Sequence, residues 1–168
     1  MKDKLKFTRF QKWIELLAIA VLFILFAFLV SNWSSIPARI PSHYDASGLI
    51  DGWGSKNSLL LLPLVCLVMY ALLTVVSFFP KTWNVPVKLT DENRLRVYTV
   101  TRSLLCVLKA VLLLNFTFIE ISMVKMQPLG AWFIFLTMGG VLGTLIGFIV
   151  KIVKVSKPLD QQGTDFPS

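Results

Sequence analysis

Charge is scarce in this chain, and histidine and cysteine are almost missing. Only 15% of the 168 residues are charged while 55% are hydrophobic, and the mean hydropathy is +0.72. A folded domain of this size in water needs far more polar surface, so a soluble catalytic domain is excluded and lipid becomes the main solvent. The one histidine, His43, leaves no paired-histidine metalloenzyme motif, and no nucleophile with an adjacent base is visible. The two cysteines, Cys66 and Cys106, fall inside apolar runs, which excludes a disulfide framework for an exposed loop. The net charge of +8 does not point to nucleic acid, because the basic residues lie between apolar runs and not on one face of a soluble domain. No cofactor motif and no internal repeat is present.

What the chain has in abundance is uninterrupted hydrophobic sequence. About 20 apolar residues at 1.5 Å rise cross a hydrocarbon core of about 30 Å, and four runs qualify, at 13–30, 58–79, 102–124 and 130–150. They are too long and too uniform for alternating barrel strands, and backbone groups in lipid must bond internally, so the runs read as helices. The expected fold is an all-α transmembrane domain: a four-helix bundle with connections 31–57 and 80–101 and a tail over 151–168. The first run follows Lys2, Lys4, Lys6, Arg9 and Lys12, as a signal peptide would. Val30-Ser31-Asn32-Trp33 is a poor cleavage site, however, so an uncleaved anchor is expected.

Basic residues in short flanks are retained in the cytoplasm. They crowd the N-terminal flank, the second connection (Lys81, Lys88, Arg94, Arg96, with Arg102 at the membrane edge) and the tail (Lys151, Lys154, Lys157). The first connection has only Arg39 and Lys56, and the third only Lys125. Both termini are therefore expected inside, with 31–57 as an ordered extracellular loop on a multi-pass protein of the cell membrane. Trp13, Trp33, Trp53, Trp83 and Trp132 fall at or near span ends, where an amphipathic ring prefers the headgroup region.

The first connection is built like an ordered segment. Pro37 and Pro41 push Ile36 and Ile40 toward extended conformations, while Asp45 to Gly48 and Asp51-Gly52 are turn signals. Two short extended pieces over the mouth of the bundle would satisfy this pattern. His43, Asp45 and Asp51 admit three readings: turn chemistry, partner recognition or a cation. Their spacing is not that of known zinc sites, so no metal site is assigned. Tyr44 and Trp53 would anchor the loop to the interface, and Ser55, Asn57 or Ser58 can cap the second span.

Ile40-Pro41, His43, Tyr44, Asp45, Gly48, Asp51, Trp53, Ser55 and Lys56 together resemble the signature of DUF1648, a bacterial membrane module. The stretch Trp83-Asn84-Val85-Pro86-Val87-Lys88-Leu89-Thr90, followed by Asn93, Arg94, Tyr98, Arg102 and Lys109, is similar to that family's connection between its second and third spans. Immunity proteins of the SdpI type are similar in this module and usually carry further membrane segments. The resemblance implies an immunity-like or envelope-stress binding protein whose outer loop, through His43, Tyr44, Asp45, Gly48, Asp51, Trp53 and Lys56, recognises a peptide toxin or a small membrane-protein partner.

Ionisable groups inside a span are costly and face the protein interior or a wet cavity. The third span holds Lys109 and Glu120. Eleven residues at about 100° each put them within roughly 20° on one face, about 16 Å apart along the axis. Arg102 and Phe116 share that stripe, whereas Asn115 points elsewhere. Lys109 either snorkels or finds a partner; Glu120, on a short side chain, is expected to meet a polar group such as His43, Arg39 or Lys56. A transporter or proton path through Lys109 and Glu120 is one alternative function, and a metal-dependent enzyme using His43, Asp45 and Asp51 another. Gly139, Gly143 and Gly147 form a flat stripe suited either to a helix of the same chain or to a homodimer seam. Pro63 is expected to kink the second span modestly. Thr90, with Asp91 and Glu92, marks a helix start that would extend span three inward, leaving Arg94, Arg96 and Arg102 near anionic headgroups.

Overall fold

The computed structural model describes residues 5–158; Lys2, Lys4 and the tail from residue 159 onward lie outside the described residues. The four apolar runs form helices α1 (Arg9–Asn32), α2 (Leu61–Ser77), α3 (Arg94–Val124) and α4 (Ala131–Ser156). With their flanking turns, all four are long and apolar enough to cross a membrane.

Local chemistry sets the helix ends. Thr8 and Gln11 make a reciprocal capping box at the start of α1: each backbone N–H donates to the other's side chain, at 3.0 and 3.2 Å. Thr90 and Asn93 exchange the same pair of bonds across a turn that precedes α3, at 2.9 and 3.2 Å, so the helix begins at Arg94, four residues after the start expected at Thr90, and Asp91 and Glu92 lie in the turn and not in its first helical turn. Ser55 caps a 3-10 turn over Lys56–Leu60 that leads into α2. This shifts Pro63 into the first turn of α2, where its missing N–H has no intrahelical acceptor to lose, and the expected kink has no cause. At the end of α3, the Gln127 N–H donates back to the Ser122 carbonyl at 2.9 Å. Met126 takes the left-handed position, φ 52°, that glycine usually fills in such a stop.

The connection after α1 corrects the all-α expectation. Residues Arg39–Tyr44 (β1) and Ile50–Ser55 (β2) pair as an antiparallel hairpin, with Arg39 opposite Ser55 and Tyr44 opposite Ile50. Ile40 of β1, with Ile36 in the segment just before it, packs with Leu29, Leu59 and Met123 over one end of the helices. Two further cores follow along the bundle. A middle one joins Ala18, Val21 and Leu25 to Cys66, Ala110 and Leu113, and a third at the far end joins Val97 and Val100 to Ile152.

The helices do not form the compact four-helix bundle that was expected. α3 is central: α1, α2 and α4 all pack on it, and 33% of its apolar window is buried within the chain against 6% for α4. α4 leans on α3 through Gly140, where a Cβ would meet Val111 at 3.5 Å, and through a bond from Thr137 Oγ1 to Asn115 Oδ1 of 2.6 Å. A Cβ at Gly139, Gly143 or Gly147 would meet nothing within 4 Å. The glycine stripe is therefore not a seam within the described chain, because α4 turns it away from α3.

Candidate functional site: the hairpin groove and two buried polar centres

The turn of the hairpin is built by Asp45, whose Oδ1 accepts the Ser47 and Leu49 N–H groups at 2.8 and 2.9 Å. Gly48 sits there at φ +74°, and a Cβ on it would come within 2.7 Å of the Gly130 backbone. Only glycine allows this approach, which lets the Leu129 N–H donate to the Gly48 carbonyl at 2.8 Å. The Tyr44 hydroxyl donates to the Gln127 carbonyl at 3.2 Å. The hairpin tip is thus fastened to the turn between α3 and α4.

Between them lies an open groove of about 420 Å³, whose walls include His43, Tyr44, Leu62, Met123, Phe133 and Ile134. Its character is apolar with a polar rim, as ligand sites commonly are. Burial pushes the Tyr44 phenol up from 10.0 to about 12, and the Glu120 carboxyl pushes the same way. His43 Nδ1 lies 2.6 Å from Asp51 Oδ1 on the exposed side of the hairpin. Trp53 is exposed. Lys56 donates to the Trp33 carbonyl and lies 4.6 Å above the centroid of that ring.

The seven expected loop residues therefore divide. His43, Tyr44, Asp45 and Gly48 border the groove, Asp51 orients His43, Lys56 ties the hairpin base to the end of α1, and Trp53 is exposed outside the groove. Asp45 spends Oδ1 on its own turn, and no group of three metal-ligating side chains occurs among the described residues.

The buried face of α3 carries two polar centres. In the first, Lys109 Nζ donates to both carboxyl oxygens of Glu15 at 2.7 Å and to Thr74 Oγ1 at 2.8 Å, 4.4 Å from the Tyr70 ring centroid. Its side chain is 1% exposed, so the snorkelling alternative does not apply: a carboxylate within the bundle holds the ammonium in place. Glu15 escaped the sequence reading because it sits near the start of span one, 94 positions from its partner. As the one acidic residue of α1, it was nonetheless the natural counter-charge for a buried lysine. Gln11 was missed too; it is buried and donates to the Thr99 carbonyl and Ser103 Oγ, each at 2.9 Å.

Arg102 does not lie among headgroups. It is 3% exposed, donates to the Ser77 and Leu5 carbonyls at 3.1 and 3.0 Å, and stacks 4.5 Å over Phe7. A guanidinium offers five donors, and backbone carbonyls at the end of α2 and in the segment before α1 supply acceptors. The second centre is Glu120, 0% exposed and without a hydrogen-bond partner, which corrects the expectation of a loop partner. His43 is taken by Asp51 and Lys56 by Trp33, and Arg39 is exposed. Leu113 and its middle-core neighbours separate the two centres.

Residues 19–67 match the model of a family described as a domain of unknown function, DUF1648. The matched segment takes in most of α1, the whole hairpin and the first turns of α2. A protein of Archaeoglobus fulgidus, named only as uncharacterized, is 27% identical over 160 residues, covering 87% of this chain and 80% of its own length. No solved structure matches. The chain is a multi-pass membrane protein, and its segment 19–67 is similar to the DUF1648 domain.

Proposed function

We propose that this is a binding protein of the cell membrane that receives an amphipathic peptide, such as a membrane-active toxin or a short segment of a partner protein, in the groove beneath its hairpin. The observation that carries the reading is the groove itself, roofed by a hairpin whose tip is bonded to the α3–α4 turn. A preformed apolar cleft with a few polar groups at its rim accepts an apolar face without first ordering a loop. In this reading the chain binds and does not catalyse.

The excess of lysine and arginine at the opposite end supports an orientation with both termini inside and the groove outside. An SdpI-like immunity role is the form of this function that the hairpin motif favours. A transporter reading has less support, because the middle core interrupts any polar route from Lys109 to Glu120.

The test uses the full chain in lipid nanodiscs with a labelled amphipathic helical peptide. Saturable binding that weakens at least tenfold in Phe133→Ala, but not in Leu72→Ala on the lipid-facing side, supports the reading. Peptide uptake no greater than in empty nanodiscs refutes it. In intact cells a membrane-impermeant thiol reagent should label Ala46→Cys, since Cys66 and Cys106 are buried; protection of residue 46 until lysis overturns the orientation. Cells lacking the gene should become more sensitive to secreted peptide toxins, and unchanged sensitivity across a broad panel counts against immunity.

A further inference from the structure

Among the described residues, the buried side-chain polar atoms with no hydrogen-bond partner are Thr117 Oγ1 and both carboxyl oxygens of Glu120. They stand three residues apart on α3, hence on one face, between Leu113 of the middle core and Met123 of the hairpin core. The titratable groups that reach Glu120 electrostatically are the Tyr44 phenol from β1 and the Cys66 thiol from α2. Neither can carry positive charge. α1 contributes Leu25 and Leu29 to the flanking cores, and α4 has no titratable residue before Lys151. Lys109 is committed to Glu15 and Lys56 to the Trp33 carbonyl.

A carboxylate removed from water needs a cation, donors or a proton, and where the first two are lacking it takes the proton. We propose that Glu120 is a proton-binding site sealed beneath the hairpin, with the Thr117 hydroxyl as its polar neighbour. One proton, taken from water, cancels the charge and turns one carboxyl oxygen into a donor. Ile119 and Met123, next to Glu120 on α3, line the groove. Water therefore reaches the carboxyl from the groove side when the hairpin tip leaves the α3–α4 turn. Seating the hairpin favours the loaded site and lifting it favours release, because the same water that solvates the ion must enter under the roof.

Infrared difference spectra of the full chain in nanodiscs, wild type minus Glu120→Gln, at neutral pH test this without any groove ligand. A protonated-carboxyl carbonyl band that the variant lacks is expected; loss of carboxylate bands instead overturns the proposal. Should the variant not fold, a hydrophobic carbodiimide, which attacks protonated acids, is applied to the wild type and to Gly48→Ala, and adducts are mapped by mass spectrometry. Expected are an adduct at Glu120 and none at Glu15, a several-fold slower reaction in Gly48→Ala, where the lifted hairpin favours release of the proton, and no effect of sodium at fixed pH. No Glu120 adduct in either protein, or protection by sodium, refutes the proton site.

Discussion

Removing Glu15 should damage this protein more than removing Lys109, and removing both should hardly damage it. In Glu15→Leu the ammonium loses both carboxylate contacts of 2.7 Å and keeps Thr74 Oγ1 at 2.8 Å and the Tyr70 face at 4.4 Å. Deleting one partner of a buried pair costs about 3–5 kcal/mol, and the surviving contacts place this variant near about 3 kcal/mol. In Lys109→Met the orphan is Glu15, whose side chain is 16% exposed against 1% for Lys109. It can draw on water or headgroups, for a loss of about 2 kcal/mol. The double variant buries no charge and should fall within about 1 kcal/mol of wild type. The coupling is then about 4–5 kcal/mol, read from reversible unfolding in mixed micelles followed by far-ultraviolet circular dichroism. Losses that add within about 0.5 kcal/mol would mean the two groups do not sense each other and would refute the pairing.

Three further outcomes follow from the hairpin and its surroundings. Gly48→Ala forces a Cβ to within 2.7 Å of the Gly130 backbone and should cost about 1–2 kcal/mol locally, seen as faster amide exchange at Leu129 with the helices unchanged. Met126→Gly relieves a left-handed backbone, φ 52°, and should stabilise by about 1 kcal/mol in thermal unfolding; a loss would show that the Met126 side chain matters more than its backbone. Because the Tyr44 phenol is raised from 10.0 to about 12 in the folded chain, its contribution is complete below the unfolded value and is lost as pH rises through that window. Unfolding measured across the same interval should show Tyr44→Phe losing less stability than wild type, and equal losses would refute the shift.

The spans were legible because lipid demands long apolar runs and little else resembles them. The hairpin was half legible: Pro37, Pro41 and the Asp45–Gly48 turn announced extended pieces, but nothing local announced that Gly48 would dock on Gly130. Lys109 stood out as a charge deep in a span, while Glu15, at the very start of the first run, was passed over, since helix register does not tell which helices face each other. Glu120 was noticed for the same reason as Lys109 and was assigned a partner it does not have. The sequence pattern could not reveal that His43 and Lys56 are engaged elsewhere and that Arg39 faces outward. The glycine stripe left two readings open because four-residue spacing predicts a face but not its direction, and the structure removes only the packing against a helix of the same chain.

The clasp between Gly48 and the α3–α4 turn gives the last helix two attachments, one along α3 and one to the roof over the helix ends. A tilt or slide of α4 at that end pulls directly on the hairpin tip. Whatever presses on the glycine-bearing side of α4, whether bilayer or neighbour, is therefore geared to the width of the cleft on the other side.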